Sequence, residues 1–513
     1  MKDKFIESVN AGYTCKGDYI VLGGGVLHGE SVPGVHVKIP LKTLNRHGLI
    51  AGATGTGKTK TLQGLVEALS RKGVPCLLMD VKGDLSGVAA SGEPNTKIDE
   101  RHQKIGVPWL PESFPVEFLT ISNEKGARLR ATVSEFGPVL FSKILELNDT
   151  QGGVVSLVFK YCDDNELPLL DLKDFKKALQ FLTNEGKVEI EKEYGRISSA
   201  STSTIIRKII EIEQQGAEIF FGERSFDPDD LTRIDEKGRG YLNIIRLTDI
   251  QDKPKLFSTF MLSLLAEIYA TFPEEGDVEQ PKLAIFIDEA HLIFNEASDA
   301  LLNQIETIIK LIRSKGVGVF FCTQQPTDVP DSVLAQLGLK IQHSLRAFTA
   351  KDRKTIKSVA ENYPLSDFYK TEDLLTHLGI GEALVTALSE KGVPTPLVHT
   401  LLCAPSSRMD VLTEQEIDDI ILTSTLVKKY NEEIDRESAY EMLSEKIATT
   451  SEKQSDEPSE RKSAKAEKSV IGEAVDSTVG RQVMRTVARE LTRGLLGVLG
   501  VSSTRRKKAS RWF

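Results

Sequence analysis

Short apolar runs recur along the chain, each bounded by glycine, proline or charge. They are His47 to Ala51, Cys76 to Asp80, Val116 to Ile121, Tyr241 to Leu247, Leu283 to Asp288, Val317 to Thr323 and 340–345. Runs of this length read as strands buried on both faces. Between them apolar residues return at helical spacing, as Leu62, Leu65, Val66 and Leu69 do after Thr59. Strands alternating with helices predict an α/β fold with a mainly parallel sheet wrapped on both faces. Segments 135–147, 151–164, 171–183 and 198–215 are helical in series, too much for one crossover, and predict an inserted helical subdomain at about 135–222.

The flanks read differently. Residues 1–46 form a short N-terminal β segment in which Gly23-Gly24-Gly25 reads as a loop. Residues 86–115 read as a long loop, and 382–388 with 396–402 as an edge hairpin. The core so delimited spans 47–404. A helical extension follows at 405–448, then a polar, Ser-rich, charge-mixed stretch at 449–470 that reads as a disordered linker. A basic amphipathic tail closes the chain at 471–513.

Composition narrows the partners. Sixty-five basic against 74 acidic residues give a net charge of −9, which argues against a uniformly basic nucleic-acid binder but leaves room for a local basic channel. Met1 to Cys15 lacks the apolar core of a signal peptide, and nowhere do 18 apolar residues run together. Five scattered cysteines suggest neither a metal cluster nor a disulfide framework, and the cytoplasm is the expected compartment.

Gly52-Ala53-Thr54-Gly55-Thr56-Gly57-Lys58-Thr59 is a complete G-x-x-x-x-G-K-[ST] phosphate loop, set between a strand and a helix. The glycines let backbone N–H groups turn toward a polyphosphate, and the helix N-terminus adds partial positive charge. Thr54 and Thr56 complete this binding loop. Lys58 would reach the β- and γ-phosphates, and the Thr59 hydroxyl would ligate Mg²⁺. The loop predicts binding of a nucleoside triphosphate.

The apolar strand at 283–288 ends in adjacent carboxylates, Asp288 and Glu289. Asp288 is placed to hold Mg²⁺ beside the phosphates, and Glu289 to orient and deprotonate the attacking water. Gln324, at the end of the 317–323 strand, either contacts the γ-phosphate or the lytic water, or caps the following helix or turn. Arg313 either complements its helix C-terminus or acts as an arginine finger on a neighbouring subunit's γ-phosphate. Arg346 is the second candidate for that finger.

Three blocks carry a family resemblance: Leu44 to Thr59, Phe286-Ile287-Asp288-Glu289-Ala290-His291, and Cys322-Thr323-Gln324-Gln325-Pro326. Together they resemble the HerA–FtsK superfamily, and within it the bacterial HerA-like ATPases, over about residues 18–404. The Asp80-Val81-Lys82-Gly83-Asp84 turn and Gln342 to Phe348 fit the same pattern. The resemblance implies a RecA-like P-loop NTPase core, with an additional strand between the phosphate-loop and Asp-Glu strands. It also implies ATP with Mg²⁺ as cofactors, and hexameric rings with ATP at subunit interfaces. Lys58, Thr59, Asp288, Glu289 and Gln324 would keep the roles given above, with Arg313 at the position of the trans-acting arginine.

What such a ring acts on is open in the sequence. Relatives of this type pump double-stranded DNA or couple DNA–protein complexes to secretion. The helical insertion or the Lys82 loop would contact phosphates, or both are ordinary solvated surface. In the tail, Val483, Val487, Leu491, Leu495 and Leu496 form an apolar stripe beside Arg481, Arg485, Arg489 and Arg493. That pattern suits an anionic membrane, a protein partner, nucleic-acid phosphates or packing on the core. The two functional readings are therefore a DNA-translocating ATPase motor and an ATP-switched coupling ring acting on a protein or membrane.

Overall fold

The computed structural model describes residues 1–455, apart from 252, 277, 295–298, 433, 435 and 436. Twelve strands form one sheet: β1 (Tyr19–Leu27), β2 (Glu30–Pro40), β3 (Gly48–Ala51), β4 (Cys76–Asp80), β5 (Val116–Thr120), β6 (Ala127–Arg128), β7 (Leu242–Arg246), β8 (Leu283–Ile287), β9 (Val317–Thr323), β10 (Leu339–Gln342), β11 (Glu382–Thr386) and β12 (Val398–Leu402). Their order is β2-β1-β12-β11-β10-β3-β9-β8-β4-β7-β5-β6. From β10 to β6 all neighbours are parallel, and from β2 to β10 all are antiparallel.

The parallel half is apolar throughout because it carries a core on each face. Leu77 and Met79 of β4, Ile285 and Ile287 of β8, and Val319 and Phe321 of β9 enter one core. Their alternating neighbours, Cys76 and Leu78, Ala284 and Phe286, Phe320 and Cys322, enter the other. Each fully buried large side chain here stabilises the fold by about 1.5–3 kcal/mol, and Phe286 stacks on Phe320 with centroids 4.6 Å apart. The second core also takes Leu62, Leu65, Val66 and Leu69 from the helix Lys58–Arg71. That helix is thereby fixed beneath the sheet, with its N-terminus at the carboxyl end of β3.

Between β6 and β7 the chain forms helices Val133–Ile144, Asp149–Asp164, Leu172–Thr183, Lys187–Glu193, Ser199–Gln214 and Ala217–Phe220. Capping boxes at Thr132/Glu135, Asn148/Gln151 and Asp171/Asp174 start the first three. Phe141, Phe159 and Phe175 pack together inside, and the insertion shares the first core of the sheet.

Several expectations are corrected. Gly23-Gly24-Gly25 is not a loop but the middle of β1. A Cβ on Gly23 would stand 2.1 Å from the Leu401 carbonyl oxygen, and one on Gly25 2.6 Å from Val35. The glycines permit close approach of neighbouring chain across an irregular register. The first 46 residues are not a separate β segment, since β1 pairs with β12 and extends the same sheet. The β11–β12 pair therefore lies inside the sheet, whose edges are β2 and β6. The supposed loop 86–115 contains the helix Thr96–Ile105, capped by Asn95, and residues Lys2–Gly12 form a further helix that buries Phe5 and Val9.

The C-terminal extension includes Glu414–Thr423, Thr425–Tyr430 and Ala439–Ser455. The last of these packs on Leu172–Thr183, where the Tyr440 N–H donates to Asp174 at 2.9 Å. Helix thus replaces the first residues of the expected 449–470 linker. The rest of that linker and the 471–513 tail lie outside the described residues. Among the described residues, no helix is long and apolar enough to cross a membrane.

Candidate functional site

The phosphate loop leaves β3 pinned by both neighbouring strands. The Gly52 N–H donates to the Thr323 carbonyl at 3.2 Å, and the Ala53 N–H to the Ser344 carbonyl at 2.9 Å. Gly52 has φ +154°, and a Cβ there would lie 2.4 Å from that of His343, so a side chain is excluded twice over. Gly57 (φ +106°) ends the loop and begins the helix. The Thr56 hydroxyl donates to the Ala53 carbonyl at 2.7 Å, and the Gly381 N–H donates to the Thr56 carbonyl at 3.2 Å. Thr54 and Gly55 form the exposed tip, and Thr59 is half-buried.

Lys58 is buried, and its Nζ donates to the Ala53 carbonyl at 3.2 Å, within its own loop. Burial lowers its pKa first and the charge of Lys82 lowers it further, while Glu289 and Asp288 pull it back up. An ammonium held in this way favours an added anion. Below the loop, the Thr61 hydroxyl lies 3.0 Å from His343 Nε2. Burial brings that imidazole down to about 4, so it is neutral near pH 7.

Asp288 and Glu289 follow β8, which is separated from β3 by β9 alone. Both are nearly inaccessible. The Asp288 Oδ2 is a buried acceptor with no hydrogen-bond partner in the protein. Burial pushes this carboxyl up to about 6, against the opposing pull of Lys82. A buried carboxylate oxygen without a donor, at the end of a strand two places from the one that leads into the Thr59 phosphate loop, suits a hard divalent cation such as Mg²⁺.

Glu289 has φ +48°, and the Ala290 N–H that follows it donates to the Cys322 carbonyl at 2.9 Å. Its Oε1 is ion-paired with Lys82, and its Oε2 lies 3.1 Å from His291 Nδ1. Neither contact has hydrogen-bond geometry. The Lys82 side chain is partly solvent-exposed, and its ammonium is also paired with Glu289. Register explains this, since β4 lies beside β8 with Met79 opposite Ile287. Lys82 and His291 were missed as site residues, although the Asp80-to-Asp84 turn and the residues after Glu289 stood in the recognised blocks.

Gln324 is exposed at the end of β9 and borders a pocket with Ala53, Thr54 and Arg346. The turn after β9 is capped by Gln325 with Asp328, so Gln324 is not that cap. Arg346 donates from Nη2 to the Thr54 carbonyl at 3.0 Å, within the same chain. Arg313 stands apart. It precedes β9 at the opposite end of the sheet from the phosphate loop, where its charge acts on His47 at the start of β3. A further cavity, lined by Phe136, Phe220, Phe260 and Ile308, lies beneath the insertion and includes no phosphate-loop residue.

A strand, glycine loop and helix on a parallel sheet, faced by a carboxylate pair two strands away, define the site architecture of a P-loop nucleotide-binding protein. More narrowly, the chain belongs to the Helicase HerA-like C-terminal family, which it matches over residues 26–506. It is 25% identical over 363 residues to the DNA double-strand break repair helicase HerA of Sulfolobus acidocaldarius, covering 68% of this chain and 64% of that protein. The HerA of Saccharolobus solfataricus is 23% identical over 363 residues, covering 68% and 63%. The chain thus spans under two thirds of the length of these relatives.

Among solved structures it resembles the bacterial conjugative coupling protein TrwB in its unbound form, with TM-score 0.50 and 15% identity over 80% of this chain and 94% of that one. TrwB in complex with the ATP analogue ADPNP gives TM-score 0.50 and 15% identity, covering 78% and 99%. These likenesses support the mixed α/β P-loop fold.

Proposed function

We propose that this chain is an ATP-hydrolysing motor that assembles as a ring and moves along double-stranded DNA. The carrying observation is the Asp288 oxygen, buried without a donor, two strands from a complete phosphate loop in a chain of the HerA-like family. The loop N–H groups and Lys58 bind the β- and γ-phosphates. Thr59 and Asp288 would hold Mg²⁺, which supplies charge neutralisation when bound. Glu289 orients a water and takes its proton as the water oxygen bonds to the γ-phosphorus. The bond from that phosphorus to the β–γ bridging oxygen breaks and ADP leaves, and Gln324 contacts the γ-phosphate or that water.

Arg313 is the residue that supports a ring in this reading: it stands at the far end of the sheet from its own loop, and acting as an arginine finger it would serve a neighbouring subunit. A hexamer is the ring size of this reading. DNA as the track rests on the relatives, which are named as DNA break-repair helicases. In this reading the ATPase core spans about 47–404 with its insertion at 135–222, and the chain works in the cytoplasm.

The test is ATP turnover by the full chain with and without duplex DNA. We expect Mg²⁺-dependent turnover that duplex DNA stimulates. Turnover unchanged by DNA but raised by anionic vesicles or a co-purifying protein would replace the DNA motor with a coupling ring. Equal turnover in wild type and Glu289→Gln would overturn the site.

A further inference from the structure

The contact between Lys82 and Glu289 engages the residue that the chemistry needs as a base. A carboxylate that activates water must aim an oxygen at it, and here Oε1 is turned to Lys82 and Oε2 to His291. We propose that Lys82 is a positioning residue that holds Glu289 in the nucleotide-free chain and transfers to the γ-phosphate when ATP enters. Resting on the ATPase reading above, it makes the γ-phosphate, which ADP lacks, the signal that releases the catalytic carboxylate.

The two partners differ in freedom. Asp80 accepts N–H groups from Gly83 at 2.7 Å, Asp84 at 3.1 Å and Leu85 at 3.1 Å, so the backbone carrying Lys82 is fixed. Gly83 supplies the positive φ of +75° that the turn requires. The Lys82 side chain itself is 42% exposed, against 6% for Glu289. Glu289 is held on a buried turn tied to β9. Lysine is therefore the partner that moves, on a flexible stem with three rotatable donors.

Charge supplies the direction. Paired with Glu289, which follows Asp288, Lys82 is close enough for its charge to bear on both Lys58 of the phosphate loop and Asp288. A γ-phosphate brings roughly two negative charges and three acceptor oxygens, more than the single charge of Glu289. With ATP bound, Lys82 gains a stronger partner, and the Glu289 Oε1 becomes available to water. With ADP bound, the Lys82–Glu289 pair persists.

The experiment measures equilibrium binding of Mg²⁺–ADP and of a non-hydrolysable ATP analogue to the full chain. It uses wild type, Lys82→Ala, Lys82→Arg, Glu289→Gln and the Lys82→Ala/Glu289→Gln double variant. Lys82→Ala should lose about tenfold or more in analogue affinity, the scale of one charge-assisted hydrogen bond, with ADP affinity within about twofold of wild type. Lys82→Arg should restore most of that loss. Glu289→Gln should tighten analogue binding severalfold when Lys82 is present, and the gain should shrink in the Lys82→Ala background. Equal losses for analogue and ADP, or the same effect of Glu289→Gln in both backgrounds, would reduce the contact to a structural ion pair. Failure of the underlying reading looks different: wild type would bind neither nucleotide, or Lys58→Ala would bind both normally.

Discussion

Arg346 Nη2 donates to the backbone carbonyl of Thr54 at 3.0 Å, so the loop after β10 sets a cation on the apex of this chain's own phosphate loop. The contact orders an exposed glycine-rich tip before any ligand arrives. Arg346→Ala should therefore weaken ADP and ATP-analogue binding together, by about threefold to tenfold. Arg346→Lys should recover the charge but only part of the geometry. Unchanged affinity for both nucleotides in Arg346→Ala would show that the tip needs no such support.

Lys58 and Glu289 should separate binding from chemistry. Lys58→Ala removes the ammonium that the loop positions, and nucleotide affinity should fall severely. Glu289→Gln keeps the shape but cannot act as a base; bound ATP should persist, with turnover reduced roughly 10²–10⁴-fold. Binding assays paired with single-turnover hydrolysis distinguish the two. A Glu289→Gln chain that turns over normally would place the catalytic base elsewhere.

What the sequence displayed clearly was whatever burial writes into local pattern. β4, β8 and β9 are legible because parallel strands covered on both faces become continuous apolar runs. The phosphate loop is legible because its glycines and lysine are contiguous. Gly23-Gly24-Gly25 misled because its reason lies at Leu401, far along the chain. Helix Thr96–Ile105 was hidden by its polarity, with only Ile98, His102 and Ile105 buried. The Lys82–Glu289 and Arg346–Thr54 contacts depend on strand order, which no local pattern encodes.

Arg313 tests whether catalysis crosses a subunit boundary. Arg313→Ala chains should assemble and bind ATP but hydrolyse it about 10³-fold more slowly. Mixing them with Lys58→Ala chains should restore some turnover, because a mixed interface can pair an intact Lys58 with an intact Arg313. Demonstrably mixed rings without recovery would return Arg313 to a local role near His47.

Asp80 gives a pH signature. Burial raises its carboxyl from 3.8 to about 7, so between those values the folded chain keeps a proton that the unfolded chain has lost. Stability from this group is therefore greatest below about pH 4 and declines as pH rises toward 7, by at most about 4 kcal/mol. Carboxylates held low by partners, such as Asp235 and Glu416, act in the opposite sense. The readout is thus the difference between wild type and Asp80→Asn, melted without Mg²⁺ or nucleotide. That difference should vary over pH 4–7; parallel curves would mean that Asp80 ionises normally.

The C-terminal boundary can be cut in two places with different consequences. Ala439–Ser455 packs on helix Leu172–Thr183, burying Leu443 and tying the Tyr440 N–H to Asp174. A chain ending at residue 438 loses these contacts and should be destabilised by about 2–4 kcal/mol, counting the exposed apolar surface and the Asp174 Oδ1 that loses its Tyr440 donor. A chain ending at 455 keeps them, and should retain its fold and basal turnover. What it loses is nine Lys or Arg between Arg481 and Phe513 against one Glu. Attachment to an anionic partner should weaken accordingly, and in the full chain that attachment should fall as salt rises. Binding of both chains to duplex DNA and to anionic vesicles identifies the partner. Loss on vesicles alone marks a membrane anchor, and loss on DNA alone an auxiliary DNA arm. If ending at 455 collapses the fold or the ring, the tail's apolar stripe is packed on the core and its basic face is incidental.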